Sequence, residues 1–204
     1  MSHSLLFFID VSGQPYGDIY VGLSSIQIHK LTPFLKLLKR KYPKFFRNRQ
    51  KASVLKFNHI QGLLNFFNGQ GVYMRSIRLK RRSWNELRKF LKNKKYIKEM
   101  VYASLYFEAL KKFSFKNHTY PVVVCNETYL DIQKVKKYLK KLAKANGFDY
   151  QVSDSYASQC EMLKVSDIIA ASSRKGTPNK NLENYDPNCP EIETLKYYLI
   201  KLKS

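Results

Sequence analysis

The chain has 204 residues, 44% of them apolar, enough to bury one continuous core and to exclude wholesale disorder. Its 37 Lys and Arg against 15 Asp and Glu give a formal net charge of +22. An excess of that size concentrates as a potential of several kT on some faces, so a polyanion is the expected partner, nucleic acid ahead of an anionic membrane.

Leu5-Leu6-Phe7-Phe8-Ile9 is a continuous apolar run closed by Asp10 and a Ser12-Gly13 turn, which predicts a buried central strand. Asp18 to Ile28 alternates and predicts a second strand pairing back on the first. Thr32 and Pro33 read as an N-cap and first helical position for a helix over Phe34 to Lys41, ended by Pro43. A basic loop, Lys44 to Lys51, follows. Ser53 to Phe67 then enters a helix with Ile60, Leu63, Leu64 and Phe67 on one face, broken by Gly69-Gln70-Gly71. Val72 to Leu79 predicts a third strand with Arg75 and Arg78 turned to solvent. Ser83-Trp84-Asn85-Glu86 has the form of a capping box and opens a helical stretch to Phe113, interrupted near Asn93.

Val122 to Cys125 is a second short apolar strand, ending at Asn126-Glu127. Asp131 to Ala145 is a lysine-rich amphipathic helix stopped by Asn146-Gly147, and Phe148 to Val152 is a last strand. Gln159 to Arg174 is a helix, Lys180 to Pro190 an exposed loop, and Glu191 to Lys203 a terminal helix. This order predicts an α/β fold: one domain with a mixed central sheet flanked by helices. Residues 1–178 form its α/β body, and 179–204 an exposed loop and a helix packing on the same domain.

No acidic residue occurs from Ile19 to Asn85, while Lys and Arg run throughout, with Arg47, Arg49 and Lys51 as one peak and Lys80-Arg81-Arg82 as another. That stretch is the expected polyanion-binding face, rather than the helix from Lys134 to Lys144, whose lysines fill its exposed turns as a solvated face does. Arg is the better phosphate ligand because its planar fork binds two oxygens where Lys offers a point charge. The three cysteines, Cys125, Cys160 and Cys189, lie far apart and lack metal or disulfide spacing. Met1 to Ile9 lacks the form of a signal peptide, and no apolar run is long enough to cross a membrane. A cytoplasmic protein without a membrane role is expected.

The scarce acids carry information. Asp10 ends the first buried strand, Glu127 follows the second, Asp154 lies just past the last, and Asp167 sits between Val165 and Ile168 on the following helix. Carboxylates at adjacent strand ends, joined by one from a crossing helix, suit two hard divalent cations, Mg²⁺ or Mn²⁺, in phosphodiester hydrolysis. Asp10 also reads as a turn residue, Glu127 as a helix-start residue and Asp154 as a cap. An isolated carboxylate at Asp167, amid apolar neighbours, would be costly without a bond or a ligand. Histidine spacing, nucleophile–base pairs and Gly-rich phosphate loops offer no competing chemistry.

Phe8-Ile9-Asp10-Val11-Ser12-Gly13 resembles the "F-[IV]-D-E-S-G" opening of the RNase H-like family known as domain of unknown function 3800. Met162 to Ala170 resembles that family's closing "l-Q-[LV]-A-D-[LI]-[IV]-A" helix, and Val54-Leu55-Lys56 its internal "E-[LI]-K". The resemblance implies an RNase H-like sheet with Asp10 and Asp167 in an acidic cluster, Glu127 in place of the acid ending the fourth strand, and Lys56 near the active face. Val11 and Val54 stand where the family has Glu, and Asn126 where an acid is common, and each departure removes a candidate metal ligand. Two functions follow: a Mg²⁺- or Mn²⁺-dependent nuclease with ligands Asp10, Glu127 and Asp167, and Asp154 as a fourth carboxylate; or a non-catalytic nucleic-acid-binding module. In both, Lys56, Arg47, Arg49, Lys51, Arg75 and Arg78 grip DNA or RNA.

Overall fold

The computed structural model describes residues 5–13, 17–43, 52–92, 96–176 and 182–203. Strand β1 (Leu5–Gly13) is central because it is apolar on both faces. Phe7, Ile9 and Val11 enter one core and Phe8 the other, the two-residue alternation of a strand covered on both sides. β1 pairs antiparallel with β2 (Ile19–Gln27), from Leu5 opposite Gln27 to Gly13 opposite Ile19. It pairs parallel with β4 (Thr119–Cys125), Ile9 opposite Val124. β3 (Tyr73–Leu79) lies antiparallel on β2, β5 (Asp149–Ser155) parallel outside β4, and β6 (Tyr185–Asn188) parallel to β3. The six-stranded order is β5-β4-β1-β2-β3-β6.

Helices cover both faces. On the Ile9 side lie α3 (Arg81–Leu91), α4 (Ile97–Lys111), α5 (Ile132–Ala145) and α7 (Ile192–Lys203), which bring Trp84, Tyr102, Leu139 and Leu199 to the core. α4 is buried along nearly its whole length, and its apolar residues accordingly run round the helix rather than along one stripe. On the Phe8 side lie α1 (Ile28–Lys41), a 3₁₀ turn (Ala52–Val54), α2 (Phe57–Gly69) and α6 (Glu161–Arg174). The mixed sheet flanked by helices in a single domain is the architecture the sequence predicts.

The seating of α6 positions the candidate site. A Cβ on Gly22 of β2 would come within 2.0 Å of the Ser166 carbonyl oxygen and 2.7 Å of the Ala170 nitrogen, so only glycine lets the helix lie this close to the sheet. Ser166 Oγ donates to the Phe8 carbonyl at 2.9 Å and lies 2.8 Å from Ser24 Oγ. Those contacts clamp α6 against β1 and β2 at the turn that carries Asp167.

Several local expectations are corrected. α1 begins at Ile28, six residues before Phe34, and carries Pro33 inside it on an exposed position. Burial of Phe34 and Leu38 against α2 and the sheet outweighs the lost N–H. The capping box at Ser83–Glu86 is not used: α3 starts at Arg81 with Lys80 as N-cap and no side-chain cap, and Glu86 pairs with Lys196 at 3.4 Å. The stretch to Phe113 divides into two helices, with left-handed Lys92 (φ 41°) and Tyr96 (φ 69°) flanking the break. Part of the expected 180–190 loop is β6, an edge strand that tolerates Pro187 because no further strand needs its N–H. The last expected strand runs on to Ser155 and so includes Asp154.

Candidate active site

Asp10 is three residues from the end of β1 and only 4% exposed. It alternates with Ile9 and Val11 and so faces the α6 side, as does Cys125 at the end of β4. Two residues on, the chain leaves β4 through Asn126 to Glu127. One ligand atom from each of Asp10, Cys125 and Glu127 lies within 4.8 Å of the other two. Asp167 approaches from α6, with its Oδ2 accepting from the Ala52 backbone N–H at 3.0 Å.

The electrostatics of this cluster run against ordinary carboxylate behaviour. Burial raises the Asp10 pKa well above its usual value, and the charges of Asp167 and then Glu127 raise it further. The Val11 N–H, which donates to Asp10 Oδ1 at 2.7 Å, and the Cys125 thiol oppose the rise without cancelling it. Burial, together with Asp10 and Glu127, likewise pushes the Cys125 thiol up. Three acids acting on one another across a buried strand end form a site that a cation would relieve. Their oxygen donors suit a hard divalent ion, and the thiol is the one soft donor among them.

The remaining sequence-predicted residues distribute unevenly. Asp154 shares a face of β5 with Val152, which lies in the α5-side core, so it faces away from Asp10. It is held by Lys136 of α5 at 2.6 Å and accepts weakly from Asn126 at 3.5 Å. Lys56 is exposed at the N-cap of α2, four residues past the backbone N–H that meets Asp167. Arg75 is not turned to solvent: it is 5% exposed and paired with Glu108 at 3.5 Å and Asp186 at 3.3 Å. Its strand is covered by α4 on that face, so the alternation that suggested an outward Arg points it into an ion-pair network instead. Arg78 is partly exposed, bound to Asp18 at 2.7 Å and stacked over Tyr20 at 5.5 Å. Arg47, Arg49 and Lys51 lie outside the described residues.

Sequence reasoning missed Cys125, Gly22 and Ser166. The run of small residues Gly22, Ser24 and Ser25 within β2 was the available signal, since a strand otherwise rich in Ile, Val and Leu spares side-chain volume where a helix backbone must approach. Among the described residues, no helix is long and apolar enough to cross a membrane.

No family model matches the sequence, and no curated protein matches it. Solved structures do. Ribonuclease H2 from Pyrococcus horikoshii OT3 aligns at a TM-score of 0.55 and 13% identity, over 86% of this chain and 74% of that one. RNase HII from Archaeoglobus fulgidus, solved in complex with PCNA, aligns at 0.55 and 11%, over 87% and 75%. The chain therefore has an RNase H-like fold.

Proposed function

We propose that this protein is a divalent-metal-dependent phosphodiesterase acting on nucleic acid, with Asp10, Glu127 and Asp167 as the metal-binding carboxylates. One observation carries the reading: Asp10, Cys125 and Glu127 converge within 4.8 Å at neighbouring strand ends, with Asp167 close enough to perturb Asp10. The likeness to RNase HII structures supports it at the level of fold. Membership of the family known as domain of unknown function 3800 rests on the two motifs at Phe8–Gly13 and Met162–Ala170.

Mg²⁺ or Mn²⁺ held here would activate water and stabilise the leaving oxygen of a phosphodiester. The chain's own residues prepare that position. The Val11 N–H orients one Asp10 oxygen, and the Cys125 thiol bonds the same carboxyl group. The Ala52 N–H orients Asp167 and ties it to the turn that leads to Lys56, to which we assign the substrate phosphate. Asp154, on the other face of the sheet and paired with Lys136, is left out of this ligand set.

A specific observation favours the second reading, a binding module without catalysis. Val11 is 7% exposed within the core on the other face of the sheet, so its position has been given to packing, while Val54 is 68% exposed. The experiment is cleavage of labelled single-stranded, duplex and branched DNA and RNA with Mn²⁺. The nuclease reading expects cutting by wild type and none by Asp10→Asn. Equal cutting by both would discard this metal site. Binding without cutting, and without stabilisation by Mn²⁺, would establish the binding module.

A further inference from the structure

We propose that the exposed face of α3 is the main docking surface for the nucleic-acid phosphate backbone. This rests on nucleic acid being the ligand, and it locates the contact on an element that the acidic cluster does not include.

α3 divides cleanly in two. Trp84, Leu87 and Leu91 are buried in the core, while Arg81, Arg82, Arg88 and Lys89, with Lys80 and Lys92 at the two ends, are exposed. Two shallow hollows lie on that outer face. One, of about 420 Å³, is lined by Arg81, Arg82, Asn85, Glu86 and Lys89; the other, of about 650 Å³, by Asn85, Arg88, Lys89 and Lys92. The single acid on the helix, Glu86, is engaged by Lys196 of α7. Among the described residues, no ion pair holds the side chains of Arg81, Arg82, Lys89 or Lys92.

Part of the basic charge on the other helices is committed within the fold, although Lys137, Lys140 and Lys144 of α5 carry no ion pair among the described residues and the last two line a hollow of about 810 Å³. On α5, Lys134 pairs with Asp131, Lys136 with Asp154, and Lys141 donates to the Leu202 carbonyl at 3.3 Å. On α1, Lys39 pairs with Glu161, and Lys39, Arg40 and Lys41 sit in the last turn, where the helix dipole favours cations. α3 instead opens with Arg81 and Arg82 in its first turn, with no acid and no side-chain cap, where the dipole opposes positive charge. The Asp18 carboxylate offsets part of this charge and is shared with Arg78. The chain is held there: Asp18 accepts from the Arg81 backbone N–H at 2.8 Å and from Arg78 at 2.7 Å. β3 ends at the same edge of the sheet as β1, so the start of α3 shares the end of the sheet to which Asp10 belongs.

Phosphate fits these residues better than a lipid surface does. A helix that lies on a membrane inserts its apolar face, and the apolar face of α3 is occupied by the core. Arg81 and Arg82 supply planar forks for phosphate oxygens.

The test compares two triple variants of equal charge change in the full chain: Arg81→Gln/Arg82→Gln/Lys89→Gln on α3, and Lys137→Gln/Lys140→Gln/Lys144→Gln on α5. Binding of a labelled random-sequence duplex and of its single strands is titrated in EDTA, so that cleavage plays no part. If α3 contributes three phosphate contacts, its variant flattens the log–log salt slope by about 2.7, and the affinity lost between 50 and 200 mM salt shrinks about 40-fold. The α5 variant changes the slope by less than half as much. Equal effects of the two variants would mean net charge alone matters and would overturn the assignment. Loss of binding to phosphatidylserine vesicles with duplex binding intact would overturn it in favour of a membrane. Thermal melts with and without Mn²⁺ should match wild type for the α3 variant, which separates this result from any failure of the metal site.

Discussion

Replacing Gly22 with Ala should cost about 3–5 kcal/mol and dismantle the acidic cluster, although Gly22, which lies opposite Asp10 across the β1–β2 ladder, contributes no ligand atom to it. The added Cβ would stand 2.0 Å from the Ser166 carbonyl oxygen, a backbone atom that cannot swing aside. Reaching an ordinary carbon–oxygen approach of about 3.3 Å requires α6 to lift by roughly 1.3 Å. That movement breaks the bonds of Ser166 Oγ to Phe8 and Ser24, now 2.9 and 2.8 Å, at about 1 kcal/mol each. Overpacking between strand and helix adds about 1–3 kcal/mol. The sum is a large part of the roughly 5–15 kcal/mol that holds a domain together. Urea melts measure the loss, and the rise in melting temperature on adding Mn²⁺ reports whether Asp167 still meets Asp10. Ser166→Ala, which leaves the space intact, should cost only about 1–2 kcal/mol and keep the Mn²⁺ response. A Gly22→Ala protein within about 1 kcal/mol of wild type would show that α6 relaxes freely and that the close approach does not set the site.

Arg75→Ala should destabilise by about 1–3 kcal/mol, because Glu108 and Asp186 lose a buried charged partner while Glu108 keeps Lys111 and Tyr198. Arg75→Met with Glu108→Leu should recover much of that loss, and a double-mutant cycle by urea melts checks it; additive losses would mean the pair is not coupled. Asp154→Asn should leave Mn²⁺ affinity within about threefold of wild type, since Lys136 holds this side chain on the opposite face, whereas Glu127→Gln should weaken it at least tenfold by isothermal titration.

The architecture was legible because β1 and β4 are continuous apolar runs and α5 is strongly amphipathic, signals that do not depend on distant partners. Asp10, Glu127 and Asp167 could be singled out because acids are scarce and each follows or interrupts such a run. What failed to show had a tertiary origin. Arg75 reads as solvent-facing until α4 and β6 supply Glu108 and Asp186 to receive it. Lys80-Arg81-Arg82 reads only as a peak of basic charge, and the first turn of α3 is visible only once Trp84 and Leu87 are seen to face the core. The start of α1 was misplaced because Pro33 is a strong local signal overruled by burial of Phe34 and Leu38. Cys125 looked incidental because its significance is its distance from Asp10, and spacing in the sequence does not encode that.

The same burial that makes Asp10 a candidate ligand makes it a burden on the metal-free protein, and this gives the acid cluster a signature in stability. The folded-state pKa of Asp10 is raised above 3.8 by burial, by Asp167 and by Glu127. A carboxyl with a raised folded pKa contributes stability fully below its unfolded pKa and loses it as pH rises through the folded value. Wild type should therefore lose stability relative to Asp10→Asn as pH climbs from about 4 to neutrality, and the variant should melt higher at about pH 7 in EDTA. Because the charges of Asp167 and Glu127 act on Asp10, the midpoint of that divergence belongs to the cluster rather than to Asp10 alone. Mn²⁺ should invert the order. At 100 times its Kd it adds about 2.7 kcal/mol to wild type and little to the variant, which has lost a ligand. Melts across this pH range, with EDTA and with Mn²⁺, decide the matter. If Asp10→Asn melts lower than wild type at neutral pH without metal, then Asp10 is a structural carboxylate stabilised by partners within the fold, and the case for it as a metal ligand fails.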